Sequence, residues 1–317
     1  MDDFEIIRRF FTPDKETDSV IVGVGDDGAV LRPDPGRDLV SVLDTLVEGV
    51  HFPPTTHAGD IAYRAVAANV SDIAAMGARP RWMTMGLTLR TPEIGWLEEF
   101  SQGLAEALSA FSVDLVGGDM THGSEVVLSV QIIGDVEQER ALTRADAKPG
   151  DQIYVSGTIG DAGAGLSMLQ KIDQGADREE WMDDLIGRFL RPSARVALGT
   201  AIADFASAAI DISDGLYSDL AKLLAASGVG GVIELDDLPL SDALASNFSA
   251  EDALRFALGG GEDFELCFTT ASDLGDAADI AGVGVTRIGT VRKVPGLSCT
   301  RSGSAYDYHD EGYRHFL

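Results

Sequence analysis

The chain has 317 residues, 45% of them hydrophobic and 24% charged, with 52 Asp and Glu against 24 Lys and Arg for a formal net charge of -28. That length suggests two domains, each large enough to bury its own core, and the ordinary apolar content excludes a wholly disordered chain. The acid excess argues against nucleic acid as a partner, and it admits a phosphorylated ligand only where local arginines or bound cations reverse the sign.

No apolar run approaches the roughly 18–20 residues of a membrane span. The start, Met1-Asp2-Asp3-Phe4-Glu5, lacks the basic segment of a secretory signal. The expectation is a soluble, cytoplasmic protein with no membrane partner. Cys267 and Cys299, the only cysteines, fit a reducing compartment and read as core or incidental residues. Lysine is confined to Lys15, Lys148, Lys171, Lys222 and Lys293, so much of the acid excess reads as solvated surface of the kind suited to a salty habitat.

In chain order, short apolar runs ending in Gly or Asp alternate with longer alanine-rich segments, the pattern of strands and helices in an α/β protein with mixed, α+β-like sheets. Strands are predicted at Ser19 to Gly25, Asp38 to Leu43, Val113 to Val116 and Val126 to Ile133, with helices at Asp60 to Met76 and Trp96 to Phe111. The polar turn from Ala145 to Asp151, with its Pro-Gly pair, divides the chain into domains 1–144 and 145–317. The second domain is predicted to hold a strand at Gln152 to Ser156, helices at Ala162 to Lys171 and Ala194 to Phe205, and a strand at Ala208 to Ile212. A helix opening at Asp214, a strand at Phe264 to Phe268 and a helix-strand ending complete it.

Gly23-Val24-Gly25-Asp26-Asp27-Gly28 matches G-x-G-x-x-G after a strand, yet two carboxylates occupy the phosphate approach and Pro33 follows too soon for the required helix. A dinucleotide site is rejected, and a Walker A loop is absent. What recurs is an aspartate closing an apolar run: Asp27, Asp44, Asp119, then Asp211 and Asp214. Asp72 joins them, interrupting an apolar helix beside Asn69 and Ser71. Any one of these, taken alone, reads first as a turn or helix cap. As a set, converging carboxylates require neutralisation, and hard oxygen donors with little His or Cys nearby select Mg²⁺, Mn²⁺ or Ca²⁺ over zinc; magnesium, bridging carboxylates to phosphates, is the economical choice and would let an acidic site hold ATP.

The segments Gly25-Asp26-Asp27, Asp44 to Phe52, Asn69 to Ala78 and Gly117-Gly118-Asp119 together resemble the thiamine-monophosphate kinases, a family of the aminoimidazole ribonucleotide synthetase-like ATP-using proteins. Ala141 to Arg144, Lys148 to Asp151, Asp211 to Leu216, Gly260 to Leu266 and the Gly312-Tyr313 tail extend the resemblance over almost the whole chain. It implies a two-domain fold of that type, a homodimer formed through the first domain, and Mg²⁺-dependent transfer of the γ-phosphoryl group of ATP to thiamine phosphate.

The resemblance further implies that Asp27, Asp44, Asp72, Asp119, Asp211 and Asp214 hold several Mg²⁺ ions, with Asp44, Asp72, Asp119 and Arg144 central to the transfer. Gly118, Asp119, Arg144 and Ser213 would contact ATP, and His51, Glu262 and Tyr313 would lie on the thiamine phosphate side. On residues alone His51 reads as well as a packed strand-end residue, Glu262 as a loop acid or cap, and Tyr313 as a docking anchor. Val42 and Leu43 depart from the family's hydroxyl residues before the Asp-Thr-Leu motif and cannot coordinate metal through their side chains. A relative that phosphorylates an amide or carboxylate oxygen and a noncatalytic acidic metal-binding protein are the competing readings. The dispersal of the aspartates disfavours the second, and the lack of a cysteine near either terminus disfavours selenophosphate and hydrogenase-maturation relatives.

Overall fold

The computed structural model describes residues 2–13 and 17–309. The chain forms two compact units, one of residues 1–73 and 78–139 and the other of residues 74–77 and 140–317. The break falls between Glu139 and Arg140, so Arg144 belongs to the second unit.

The first unit opens with a short helix, α1 (Asp3–Ile6), continued by a wider turn over Ile7–Phe11, and a small hairpin of β1 (Val20–Val22) and β2 (Val30–Leu31). The segment after Gly23 thus leads into a strand, as the rejection of a dinucleotide fingerprint requires. The main sheet takes β3 (Arg37–Val47), β4 (Arg79–Leu89), β5 (Asp114–His122) and β6 (Val127–Glu137) in the order β3-β6-β4-β5. Helix α2 (Ala58–Ala75) joins β3 to β4, and α3 (Ile94–Phe111) makes the crossover that lets β4 and β5 run parallel.

Strand periodicity divides the two faces of this sheet. Val40, Leu46, Leu128, Val130, Ile132, Met85 and Leu87 are buried on one face. Helix α2 lies over that face, where a Cβ added to Gly134 of β6 would stand 3.0 Å from a methyl of Ile73. Ala62, Ala65, Val66, Ala67, Val70 and Ile73 are all buried, so α2 is covered almost all round. Residues of the opposite face alternate with these: Leu39 and Leu43 are 54% and 62% exposed, and hydroxyls bridge neighbouring strands, as in Thr45 to Ser129 at 2.8 Å.

The second unit contains β7 (Gln152–Ser156), α4 (Asp161–Asp173), α5 (Met182–Leu190), α6 (Val196–Ile202), β8 (Ala208–Asp211), α7 (Leu216–Ala226) and β9 (Gly230–Glu234). There follow α8 (Asp242–Asn247), α9 (Ala250–Gly259), β10 (Leu266–Thr270), β11 (Ala277–Ile280), β12 (Val283–Arg292), β13 (Gly296–Arg301) and β14 (Ser304–Tyr306). Where the sequence suggested a helix-strand ending, residues 271–306 carry strands alone. The sheet order is β14-β13-β9-β12-β7-β10-β8, with β11 beside β12. Both faces are covered: Ile153, Val155, Ile210 and Cys267 pack into one apolar cluster with α7, while Tyr154, Ala209, Leu266 and Phe268 pack into another with α6. Cys267 and Cys299 are free, buried thiols, in keeping with the core reading. Among the described residues no helix is long and apolar enough to cross a membrane.

Candidate active site

In the first unit, Asp44 and Asp119 lie inside strands rather than beyond their ends. β3 continues to Val47 because it pairs with β6 over its whole length, and β5 continues to His122 along β4. Pairing along a full ladder overrides the weak strand preference of Asp and Gly. The backbone N–H of Asp44 donates to Asn69 Oδ1 at 3.1 Å, and the buried Asn69 amide donates to Ala65 O at 2.9 Å. Asn69 therefore ties α2 to the outer strand β3, and Asp72, one helical turn on, is half-buried on the same side of α2. Val42 is half-buried just before this point, and Leu43 is exposed.

Past β3 the chain turns back: Val47 N–H donates to His51 Nδ1 at 3.0 Å, which fixes that ring nitrogen as an acceptor. Asp27 is exposed in the loop after β1, beside Asp26, whose carboxylate accepts the Asp27 N–H at 2.8 Å. Asp119 is exposed on β5, with no hydrogen bond or ion pair to its carboxylate among the described residues. Gly118 is required by the ladder itself, since a Cβ there would fall 2.1 Å from Met85 O.

The second unit places Asp211 at the end of β8, buried, and Ser213 and Asp214 half-buried in the loop that leads to α7. Helix α7 opens at Leu216 with Gly215 as its cap, two residues beyond the expected start. A buried carboxylate shapes this loop. Asp219 Oδ2 accepts the backbone N–H groups of Ser213, Asp214 and Gly215 at 2.9, 2.9 and 3.2 Å. Lys222 Nζ bridges Asp214 at 2.5 Å and Asp219 at 2.8 Å. Burial raises the Asp219 carboxyl above the ordinary aspartate value, only partly countered by the Lys222 bond.

Glu262 faces the same loop from the other side, its N–H donating to Ser213 O at 2.8 Å. The neighbouring glycines approach this backbone closely, since a Cβ on Gly261 would fall 2.6 Å from Ser213 O. Arg144 is exposed, its carbonyl accepting from Ser227 Oγ at 2.9 Å, with no acid paired to its guanidinium among the described residues. Tyr313 lies outside the described residues.

The sequence matches the AIR synthase related protein N-terminal domain over residues 25–136 and the C-terminal domain of the same description over residues 148–301. It is 45% identical over 320 aligned residues to the thiamine-monophosphate kinase of Escherichia coli (strain K12), covering 99% of this chain and 98% of that one. The chain belongs to the thiamine-monophosphate kinase family. The kinase structure from Stenotrophomonas maltophilia K279a is similar with a TM-score of 0.83 and 40% identity, over 92% of this chain and 93% of that one. A structure described as AaThiL complexed with AMPPCP and TMP gives 0.81 and 33% identity, over 92% and 91%.

Set against the residues that resemblance to these kinases singles out, the structure groups some and separates others. Asp44 with Asn69 and Asp72 forms one group in the first unit, and Asp211, Ser213, Asp214 and Glu262 form another in the second. Asp44 and Asp119 stand on the two outer strands, three strand spacings or roughly 14 Å apart. Among the described residues no three His, Cys, Asp or Glu side chains are grouped so as to hold a metal ion. The donor chemistry still fits magnesium, because all the candidate carboxylates except the buried Asp211 are exposed or half-buried and leave room for the waters this ion retains. Asp219, Lys222 and Asp263 were not singled out in the sequence. For Asp219 a signal existed: an acid in the first turn of a helix that follows Ser-Asp-Gly is placed to take the loop's free amides.

Proposed function

We propose that this chain transfers the γ-phosphoryl group of ATP to thiamine phosphate, forming thiamine diphosphate and ADP. The observation that carries this reading is the 45% identity to a thiamine-monophosphate kinase over 99% of the chain. The acceptor phosphate has a second pKa near about 6, so at neutral pH it is largely a dianion and needs no general base. The γ-phosphorus–oxygen bond to ADP breaks as the acceptor oxygen attacks in line, and no phosphoenzyme forms. What the protein must supply is alignment and relief of repulsion between two anions. Arg144, exposed and unpaired among the described residues of an otherwise acidic chain, is suited to grip a phosphate through two parallel N–H bonds.

Ser213 and Gly118 would lie along ATP, and His51, Glu262 and Tyr313 along thiamine phosphate. Asp27, Asp44, Asp72, Asp119, Asp211 and Asp214 would hold Mg²⁺, which when bound neutralises phosphate charge. A cytoplasmic setting suits the two free thiols. The part of the first unit's sheet left open beside the β1–β2 hairpin, where Leu39 and Leu43 are exposed, and the outer strand β3 support a homodimer formed through that surface.

Incubating the protein with γ-labelled ATP, Mg²⁺ and thiamine phosphate is expected to place label in thiamine diphosphate. Thiamine itself should be a poor acceptor, and rapid quenching should find no labelled protein. A kinetically competent phosphohistidine at His51 would refute direct transfer.

A further inference from the structure

Loop 261–265 joins two backbone strains to one buried carboxylate. Glu262 and Phe264 hold φ values of 66° and 51°, left-handed conformations that side chains with a Cβ rarely adopt. Between them, Asp263 is 1% exposed. Its Oδ2 accepts the N–H of Gly160 at 2.7 Å and its Oδ1 the N–H of Ala162 at 3.1 Å. These amides lie at the start of α4, where a helix has no internal acceptor for them.

The main chain of the same loop is anchored on its other side. Glu262 N–H donates to Ser213 O at 2.8 Å and Phe264 N–H to Ile212 O at 2.9 Å. The loop is thus suspended between α4, through the Asp263 side chain, and the 212–214 backbone, through its amides. Left-handed residues on both sides of one buried anchor persist only where the surroundings over-determine them, a pattern that recurs where side chains are set in place for a ligand.

We infer that Asp263 is a positioning residue, whose carboxylate, bonded into the N-terminus of α4, holds Glu262 beside Ser213 in the conformation that receives thiamine phosphate. The inference rests on the reading above that Glu262 contacts this substrate. It adds that the contact is preset in the free protein, so that the ordering of the loop is not charged against substrate binding. An ordinary helix cap in the same place would contribute stability alone.

Steady-state kinetics of the full chain with Glu262→Gln, Asp263→Asn and the pair separates these roles. Each single variant is expected to raise KM for thiamine phosphate on the order of 10-fold and to leave KM for ATP within about 2-fold. Because Asp263 acts through Glu262, the double variant should be within about 2-fold of the worse single one. Losses that multiply, or an Asp263→Asn protein that melts lower with an unchanged KM for thiamine phosphate, would overturn the positioning role and leave Glu262 as a substrate residue. An unchanged KM in Glu262→Gln would overturn the substrate reading of Glu262, and the inference with it. If Asp263→Asn does not fold, amide exchange in the unaltered protein decides. Slow exchange at Glu262 and Phe264 before ligand is added supports the inference, and protection that appears only with thiamine phosphate overturns it.

Discussion

Asp119 and Asp219 carry the same carboxylate into opposite surroundings. Asp119 is exposed on an edge strand of the first unit with no bonded partner among the described residues, whereas Asp219 is 1% exposed and accepts from three successive amides and from Lys222. Asp263 repeats the second pattern with two amides of α4. The difference teaches that an acidic sequence need not mean one acidic site. An exposed acid such as Asp119 is available to cations arriving with a ligand, while Asp219 and Asp263 are already satisfied and fix the shape of the loops around them. Buried acids also use up arginines: Asp135 accepts from Arg37, Arg79 and Arg81, and Glu265 from Arg188 and Arg195.

If the comparison holds, substituting an acid of the first kind lowers the rate without costing stability, whereas substituting one of the second kind costs stability or the shape of its loop. Asp119→Asn and Asp72→Asn should lower the rate of thiamine diphosphate formation by at least about 100-fold while the melting temperature changes little, since losing a carboxylate that would hold charge-neutralising Mg²⁺ acts on the transition state. A normal rate in both would break the assignment of Asp119 and Asp72 to the reaction. Asp219→Asn should do the reverse in stability, weakening the acceptor for three amides and leaving Lys222 without its buried partner. A loss of about 1–3 kcal/mol is expected in denaturant unfolding. An unchanged midpoint would show that the loop does not depend on Asp219.

A smaller effect is expected from the titration of Asp263. Burial raises its carboxyl from 3.8 to about 7, against the pull of the two amides and Arg188. Between those values the folded chain keeps a proton that the unfolded chain has released, so this group's contribution to stability falls as pH rises from about 4 to about 7. Unfolding curves of Asp263→Asn across that window should show a flatter pH dependence than the unaltered protein, and parallel curves would contradict the shift.

How much of this could be read beforehand depended on whether the cause was local. Strand β7 was legible to the residue because its apolar run is bounded by Asp151 and Gly157. The core of α2 was legible from its alanine periodicity. β3 and β5 run past the expected ends because their ladders with β6 and β4 continue through Asp44 and Gly117-Gly118-Asp119. β4 carries no strand signature in the sequence, since its Pro80 and Gly86 do not mark a strand in isolation. Of the proposed site, the aspartates stand out by their recurrence after apolar runs, and Arg144 enters only through the family resemblance. The Asp263 bonds are not legible, because the acceptor of Gly160 N–H is a residue 103 positions away, whereas Asp219 takes amides only four to six residues before it.

The smallest effect concerns Val42 and Leu43. Restoring hydroxyls with Val42→Ser and Leu43→Thr should lower the Mg²⁺ concentration for half-maximal rate by a few-fold at most, because neutral oxygens add little beside carboxylates. Leu43 is 62% exposed, so any loss of stability should come mainly from the half-buried Val42, and a thermal melt run alongside reads it. An unchanged magnesium midpoint in a stable double variant would mean that water or backbone oxygens already serve there.

The central proposal, that carboxylates holding Mg²⁺ serve phosphoryl transfer from ATP to thiamine phosphate, is tested most directly by one assay. Thiamine diphosphate formation from ATP and thiamine phosphate is followed with excess chelator and then with Mg²⁺ restored. The account predicts no turnover in chelator and full recovery on adding Mg²⁺, and turnover that persists undiminished in chelator would contradict it.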